Sequence, residues 1–151
     1  MKHQIILREE LLTTPDHQRE HTAPANPAFN PIFTYTRAQA VLDGIQIQVS
    51  QTAREAGIRC PVFLTRAVYD RCVAVHPGVT GQDEAGRLWD ILWMLRYAIL
   101  RTKPGQVYIP VALYVRNDNH SAKLIKLLAS TGPLDIDDPS PTITLELPDE
   151  D

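Results

Sequence analysis

The stretch of sequence that decides the fold is GQDEAGRLWDILWMLRYAILR, residues 81–101 of the 151-residue chain. Its apolar residues recur at steps of three and four, which places their side chains on one face of a helix. Asp83 has the residue type and position of a helix N-cap, and Lys103-Pro104-Gly105 ends the pattern. The pattern therefore predicts a long core helix over residues 83–101. Its apolar face consists of Leu88, Ile91, Leu92, Leu95, Ala98 and Ile99.

The polar side of this predicted helix is narrow. A helix with so little polar circumference packs against other elements over most of its surface. We therefore expect Trp89, Trp93 and Leu100 to be largely covered in the folded protein. The polar stripe consists of Asp83, Arg87, Asp90, Tyr97 and Arg101.

Arg96 is a charged residue inside the apolar arc of this helix. At roughly 100° per residue, it falls between Trp89, Leu92 and Leu100. A buried guanidinium without partners is costly, so Arg96 must meet a carboxylate, carbonyl oxygens, an aromatic face or an anionic ligand. We interpret it as a structural arginine, either a buried charge paired internally with a carboxylate or a rim residue with a buried stem.

Several short elements are predicted on both sides of the long helix. Gly44 and Gly57 stand where helices need a left-handed C-terminal cap, and the turn Asn117-Asp118-Asn119 is typical of an antiparallel hairpin. The elements before the long helix are a helix over 37–43 with a capping box at 36–39, a strand over 45–49, a helical turn begun by a second capping box at 52–55, an extended segment over 61–64 and a helix over 66–73 capped by Thr65. Those after it are strands over 107–115, 122–130 and 142–147.

This order of elements predicts an α+β fold. Short helices and a strand come first, and one long core helix then packs on a C-terminal antiparallel three-stranded meander. Between residues 13 and 31, four prolines stand among polar residues with few apolar side chains to bury. We therefore expect an extended or weakly ordered arm over 1–31 and a single α+β domain over 32–151. Residues 2–12 could pair with the body or join two copies into a homo-oligomer.

Charge and hydropathy restrict the partners and the compartment. The net charge is −3 and the isoelectric point is near 5.9, which disfavours non-specific binding to nucleic acid. The apolar runs are shorter than a signal-peptide core or a membrane span. Cys60 and Cys72 form neither a CxxC motif nor a disulfide pattern, as is typical of a reducing compartment. We therefore expect a cytoplasmic protein with a protein partner and no membrane partner.

The turn Arg116-Asn117-Asp118-Asn119-His120 is the candidate binding site. It gathers two cations, one of them titratable, with a carboxylate and two amides. This set of groups could bind a phosphate or a carboxylate, or perform acid–base chemistry through His120. Turn chemistry alone also explains Asn117, Asp118 and Asn119, because these residues close their own hydrogen bonds in tight turns.

The sequence predicts neither a metal site nor a cofactor. His17 and His21 are four residues apart and His3 could add a third nitrogen, but a zinc site normally needs four convergent ligands. Cys60 has no histidine close in sequence to act as its base, so it is interpreted as a buried, inert thiol. The chain also lacks the GxSxG and HExxH motifs and a paired-carboxylate signature, so we predict no catalytic residues.

Four strings in the chain resemble a family of small bacterial proteins known only as a domain of unknown function. They are TYTRAQAVLDG at 34–44, AGIRCPVFLTRAVYDRCVAV at 56–75, GQDEAGRLWDILWMLRYAI at 81–99 and VRNDN at 115–119. The resemblance extends over roughly residues 33–148 and leaves out the N-terminal arm. The family occurs on proteobacterial plasmids, integrative elements and phages, so the resemblance implies an accessory role in mobile genetic elements. It implies no reaction and no catalytic residue.

Two function classes remain open at this point. The first is a non-enzymatic binding or regulatory protein that acts on a host or element-encoded macromolecule, and it is favoured by the missing catalytic motifs. The second is a small anion-binding or enzymatic domain that uses Arg96, Arg116, Asp118 and His120. Convergence of these four side chains in one pocket would favour the second class. A flat charged or apolar patch would favour the first.

Overall fold

The computed structural model of the protein describes residues 35–150. The predicted arm over 1–31, with His3, His17 and His21, lies outside the described residues. Helices and strands alternate in the first half of the described chain, and a strand meander forms the second half. The elements are α1 (Arg37–Leu42), β1 (Gln46–Gln48), α2 (Ser50–Glu55), β2 (Val62–Thr65), α3 (Arg66–Val68) continued by a π-helical turn (Tyr69–Val73), α4 (Glu84–Leu100), β3 (Tyr108–Val115), β4 (Lys123–Asp135) and β5 (Asp138–Glu146).

The strands form one five-stranded sheet in the order β1-β2-β5-β4-β3. The predicted α+β class and the antiparallel β3–β4–β5 meander are confirmed. The sheet is larger than a three-stranded meander, because β1 and β2 add to its other side and β2 runs parallel to β5. This pairing joins segments about 80 residues apart along the chain, so no local pattern signals it. Pro61 anchors it, since its carbonyl accepts the backbone N–H of Ile143 and the hydroxyl of Thr142.

The core lies between α4 and one face of the sheet, which we call the inner face. On α4 the buried residues Ile91, Leu92, Leu95 and Ile99 follow the helical period of the sequence pattern. On β3 burial alternates strictly, so that every second side chain faces α4. The π-helical turn and α2 pack beside α4 and close the core.

Three of the four helix N-caps predicted from the sequence are confirmed. The side chains of Thr36, Thr65 and Asp83 accept backbone N–H groups of the first turns of α1, α3 and α4. The capping box at 52–55 is wrong, because α2 begins earlier, at Ser50. The hydroxyl of Ser50 accepts the backbone N–H of Val62 at 3.1 Å instead, and so it joins α2 to β2.

The tryptophans of α4 are more exposed than the sequence pattern predicts. Trp89 is 39% exposed and Trp93 is 51% exposed, and Leu100 is also exposed, so the expectation that all three are covered is wrong. The three residues lie on the side of α4 turned away from the buried Ile91, Leu92 and Leu95. Among residues 35–150 no further layer covers that side of the helix, so it faces outward.

Candidate functional site

The predicted turn at 116–120 joins β3 to β4 and is bound to the loop that precedes α4. Arg116 donates to the carbonyl oxygens of Asp118 and Thr80 and to the side chain of Asn119. The amide of Asn119 donates to Gly78 O at 2.8 Å and accepts the backbone N–H of Thr80 at 2.9 Å. The polar side chains of the turn therefore hold two loops together.

Arg87 occupies the centre of this junction and is 7% exposed. Its guanidinium donates to the carbonyls of Cys72 at 3.0 Å and Ala74 at 2.9 Å, and to the side-chain oxygen of Asn117. The amide of Asn117 in turn donates to Arg71 O at 2.9 Å. We call these five residues the Arg87 clasp. Burial lowers the pKa of Arg87, but a guanidinium keeps its proton at any physiological pH.

Asp118 closes the turn on its own backbone. Its Oδ1 accepts the N–H groups of His120 at 2.8 Å and Ser121 at 3.0 Å. These two hydrogen bonds lower the pKa of the carboxyl below its ordinary value. Asp118 contacts the backbone N–H of His120, and the imidazole ring of His120 is exposed. Asp118 therefore serves as a turn-forming residue, the simpler of the two interpretations of this sequence.

Arg96 lies elsewhere on α4 and is partly exposed. Its guanidinium carbon is 5.5 Å from the ring centroid of Trp93, and a Cβ atom built on Gly57 would lie 2.9 Å from its Nε. The ion pair found among the described residues is Arg66–Asp70, so the first alternative for Arg96, a buried charge paired with a carboxylate, is wrong. Its partial exposure agrees with the second alternative, an arginine at the rim. The buried charge of the helix is Arg87, which the sequence pattern assigned to the polar stripe.

A cleft of about 360 Å³ opens between the start of α4 and the end of β3. Arg87 and Arg116 line it, together with Asp83, Gln82, Trp89 and Tyr114, whereas Arg96 is not among its lining residues. Asp83 caps the helix by accepting Gly86 N–H at 2.8 Å. The Gln82 amide, with its oxygen turned towards Arg116, accepts Arg116 Nε at 3.2 Å. The polar groups around the cleft are thus largely occupied by contacts within the protein.

The two cysteines are buried in the core. Burial raises the pKa of Cys60 to about 12 and that of Cys72 to about 11, so both thiols are protonated near neutral pH. Within residues 35–150, His, Cys, Asp and Glu form no group of three that could hold a metal ion. In the same part of the chain, no helix is both long and apolar enough to cross a membrane.

The outer face of the sheet carries a surface that the sequence reasoning did not single out. On this face, Tyr114 pairs in register with Leu124, Ala112 with Lys126 and Pro110 with Leu128. We call it the outer sheet patch. It consists of Tyr108, Pro110, Ala112, Tyr114, Leu124, Lys126 and Leu128. The period-two alternation in 107–115 could have indicated it, because an alternating strand has a second face.

The other half of the outer face is covered by α1. The guanidinium of Arg37 lies over the ring of Phe63 at 4.4 Å and donates to Leu134 O, to Gln46 and to Thr144. Burial lowers the pKa of Arg37. This contact makes Phe63 part of the interior on the β1–β2 side of the sheet, whereas the β3–β4 side is left open.

No family model matches the chain, and no curated protein or solved structure matches it. The resemblance to the small bacterial family therefore stays a prediction, and function has to be inferred from the residues and their geometry.

Proposed function

We propose that the protein is a non-enzymatic accessory protein that binds a protein partner through the outer sheet patch. The observation that carries this proposal is the exposure of a contiguous apolar and aromatic strand surface. Tyr114 is 71% exposed, and Tyr108 and Leu124 are more than half exposed. A contiguous apolar patch of this kind marks a contact surface, and tyrosine is enriched in such surfaces because it is both apolar and hydrogen-bonding.

Lys126 indicates which partner chemistry fits the patch. It lies between Leu124 and Leu128 on the exposed face of β4 and pairs with Ala112 on β3. Glu146 pairs with Leu128 at the border of the patch, away from its centre. The centre of the patch is therefore cationic and apolar. The partner that fits is an apolar protein surface with a carboxylate opposite Lys126.

The contacts around the Arg116–His120 turn support a role without catalysis. An anion-binding or enzymatic site would need Arg96, Arg116, Asp118 and His120 to converge. Arg96 lies over Trp93, Arg116 is bonded to two backbone carbonyls, and Asp118 accepts two backbone N–H groups. Arg116 and Asp118 use these hydrogen bonds to stabilise the turn, and neither Arg96 nor His120 lines the cleft that Arg116 lines, so the four side chains do not meet in one site.

The biological context of the proposal comes from the sequence resemblance. The resemblance of residues 33–148 to proteins of plasmids, integrative elements and phages points to an accessory role in a mobile genetic element. A partner encoded by the host or by the element, such as a component of defence or replication, fits that context. Binding would then inhibit or regulate the partner.

Photo-crosslinking in the bacterial host tests this proposal. A benzophenone amino acid replaces Tyr114 in one variant and Leu42, which is 81% exposed on α1, in the matched control. We expect one crosslinked protein from position 114, none from position 42, and a reduced yield when Lys126→Glu is added. Equal crosslinking from both positions, or crosslinks to nucleic acid in place of protein, would contradict the proposal.

A further inference from the structure

The outward side of α4 carries a row of three aromatic side chains. Trp89, Trp93 and Tyr97 follow one another at steps of four residues and are 39%, 51% and 46% exposed. The ring centroids of the two tryptophans are 6.3 Å apart, and their planes are within 19° of parallel. Residues four apart are neighbours on a helix surface, so the three rings form one continuous exposed row along the helix.

Two arginines lie against this row. The guanidinium carbon of Arg96 is 5.5 Å from the ring centroid of Trp93, and that of Arg101 is 4.2 Å from the ring centroid of Tyr97. At roughly 100° per residue, the two arginines lie on opposite sides of the aromatic row. We call Trp89, Trp93, Arg96, Tyr97 and Arg101 the α4 ridge.

The two guanidinium groups of the α4 ridge keep their hydrogen-bond donors available. Among residues 35–150 they contact these rings, and neither forms a hydrogen bond or an ion pair with another side chain. An aromatic ring attracts a cation through its face, so this contact does not use the N–H donors of the arginine. Arg87, by contrast, spends its donors on two carbonyls and Asn117. The ridge therefore has donors for a group that residues 35–150 do not supply.

The carboxylates near the N-terminal end of α4 are already offset or bound. Asp90 lines the same cleft as the guanidinium groups of Arg87 and Arg116. Glu84 accepts the hydroxyl of Tyr69 at 2.9 Å. The charge that is left without a partner along the α4 ridge is therefore positive.

We infer that an acidic amphipathic helix of a partner protein docks on the α4 ridge. Its apolar stripe packs on the aromatic row, and carboxylates on both sides of that stripe bind Arg96 and Arg101. Charge complementarity is the observation that carries this inference, because the ridge presents one arginine on each side of an apolar row. From Trp89 to Arg101 the helix rises about 18 Å, which a partner helix of three to four turns covers.

The residue types of the ridge agree with a contact surface for a protein. Tryptophan, tyrosine and arginine are the residues that most often contribute a large share of the binding free energy at interfaces. A second copy of this chain fits less well, since it brings the same two arginines and its Asp90 is already offset. A nucleic acid also fits less well, because two arginines neutralise few phosphates and the net charge of the chain is −3.

The α4 ridge and the outer sheet patch lie on opposite sides of the molecule. α4 packs on the inner face of the sheet, whereas the patch is on the outer face. The inference therefore goes beyond the proposed function and does not depend on it. Binding at the two surfaces is measured through different residues.

Tryptophan fluorescence tests the inference, because both tryptophans of the chain belong to the α4 ridge. The probe is a synthetic helical peptide of about 18 residues without tryptophan, with a leucine stripe and glutamates on both sides of it. We expect a blue shift of the emission and a dissociation constant below about 100 µM for the full-length chain. The matched peptide with lysine in place of every glutamate is expected to cause no shift. Absence of a shift with the glutamate peptide, or equal shifts with both peptides, would overturn the inference.

A charge reversal locates the binding on the ridge. The double variant Arg96→Glu/Arg101→Glu is expected to bind the glutamate peptide about tenfold or more weakly and to gain binding to the lysine peptide. Trp93→Ala is also expected to weaken binding about tenfold, with Trp89 left as the reporter. Denaturant unfolding verifies that each variant is folded. The matched control is Lys126→Glu in the outer sheet patch, which is expected to leave the affinity unchanged. A charge-reversed variant that binds both peptides as the unmodified chain does would show that the ridge is not the site.

Two further measurements test the other occupants of the ridge. Sedimentation of the full-length chain is expected to be the same with and without Trp93→Ala, and a single-stranded oligothymidylate is expected to cause no shift in tryptophan emission. A dimer that Trp93→Ala dissociates would mean that a second copy covers the ridge. An emission shift with the oligonucleotide at lower concentration than with the glutamate peptide would mean that a nucleic acid does. Either result would contradict the inference.

Discussion

Arg87 and Arg96 lie nine residues apart on the same helix, and the protein uses them in opposite ways. Arg87 is buried and donates to two carbonyls and to Asn117. Arg96 is partly exposed and lies over the ring of Trp93. Their positions around the helix predict the reverse, because Arg96 falls in the apolar arc and Arg87 in the polar stripe. The period of a helix alone therefore does not decide which of its charges becomes buried.

The difference comes from what packs against each end of α4. Near Arg87 the chain leaves the π-helical turn, and the carbonyls of Cys72 and Ala74 at the end of this turn need donors. A guanidinium supplies several donors in one plane, so it can satisfy both carbonyls and Asn117 at once. Near Arg96 the neighbour is Gly57, which has no side chain and leaves room for the arginine stem.

Among the variants considered, Arg87→Met is expected to lower the free energy of unfolding most. Methionine fills part of the volume but leaves the acceptors of Cys72, Ala74 and Asn117 without their donor. We expect a loss of about 3 kcal/mol in the free energy of unfolding, as for removal of a buried, hydrogen-bonded charge. Denaturant unfolding measures it. A loss below about 1 kcal/mol would mean that water replaces the guanidinium in the clasp.

Asn117→Ala is expected to lower the free energy of unfolding by less than Arg87→Met does. Asn117 accepts from Arg87 and donates to Arg71 O, so its removal breaks two hydrogen bonds and leaves the guanidinium partly unpaired. The expected loss is about 1–2 kcal/mol. The exposed residue His120 in the same turn provides the control, since His120→Ala should change stability by less than about 0.5 kcal/mol. Equal losses from both variants would show that the turn, rather than the clasp, sets the stability.

Alkaline pH tests the burial of the two thiols, of which Cys72 belongs to the Arg87 clasp. Burial raises the pKa of Cys72 to about 11 and that of Cys60 to about 12, from an ordinary value of 9.0. The unfolded chain therefore ionises first. The stability that the folded state gains by keeping the two thiols protonated is fully present below pH 9. It is lost as the pH rises from 9 towards 11 and 12, because the unfolded chain then gains free energy by ionising its thiols. Thermal melts across this range should show the decline, and a Cys60→Ala/Cys72→Ala variant should show less of it.

The smallest effect is expected from Arg96→Met. The arginine is partly exposed and its contact with Trp93 is a surface cation–π interaction, which contributes about 0.5–1 kcal/mol. The expected loss of stability therefore does not exceed this amount, well below the loss for Arg87→Met. Denaturant unfolding of the two variants under the same conditions makes the comparison. A loss for Arg96→Met as large as that for Arg87→Met would remove the distinction between the two arginines.

Much of the fold could be predicted from local patterns. The helix over 83–101, the caps at Thr36, Thr65 and Asp83, and the hairpin around Asn117-Asp118-Asn119 follow from spacing and residue type. The parallel pairing of β2 with β5 could not be predicted in this way. A strand of four residues gives a weak signal, and its partner lies far along the chain.

The candidate site was predicted less well than the fold. The turn at 116–120 was identified, but its residues bind the loop before α4 rather than facing outward together. Arg87 was missed because two of its three partners are backbone carbonyls, which leave no trace in residue type, and the third, Asn117, lies 30 residues further along the chain. The outer sheet patch was also missed, because an alternating strand predicts an exposed face without showing whether another element covers it.

The sequence by itself determined the α+β class, the long helix and most of the helix caps. These depend on interactions between residues a few positions apart, which side-chain type and spacing encode directly. Only the tertiary structure decided that Arg87 is buried, that Trp93 is half exposed and that β3 lies at the edge of the sheet. Burial and edge position depend on which distant segments pack against a residue. A buried charge is stable only where the rest of the fold supplies its acceptors.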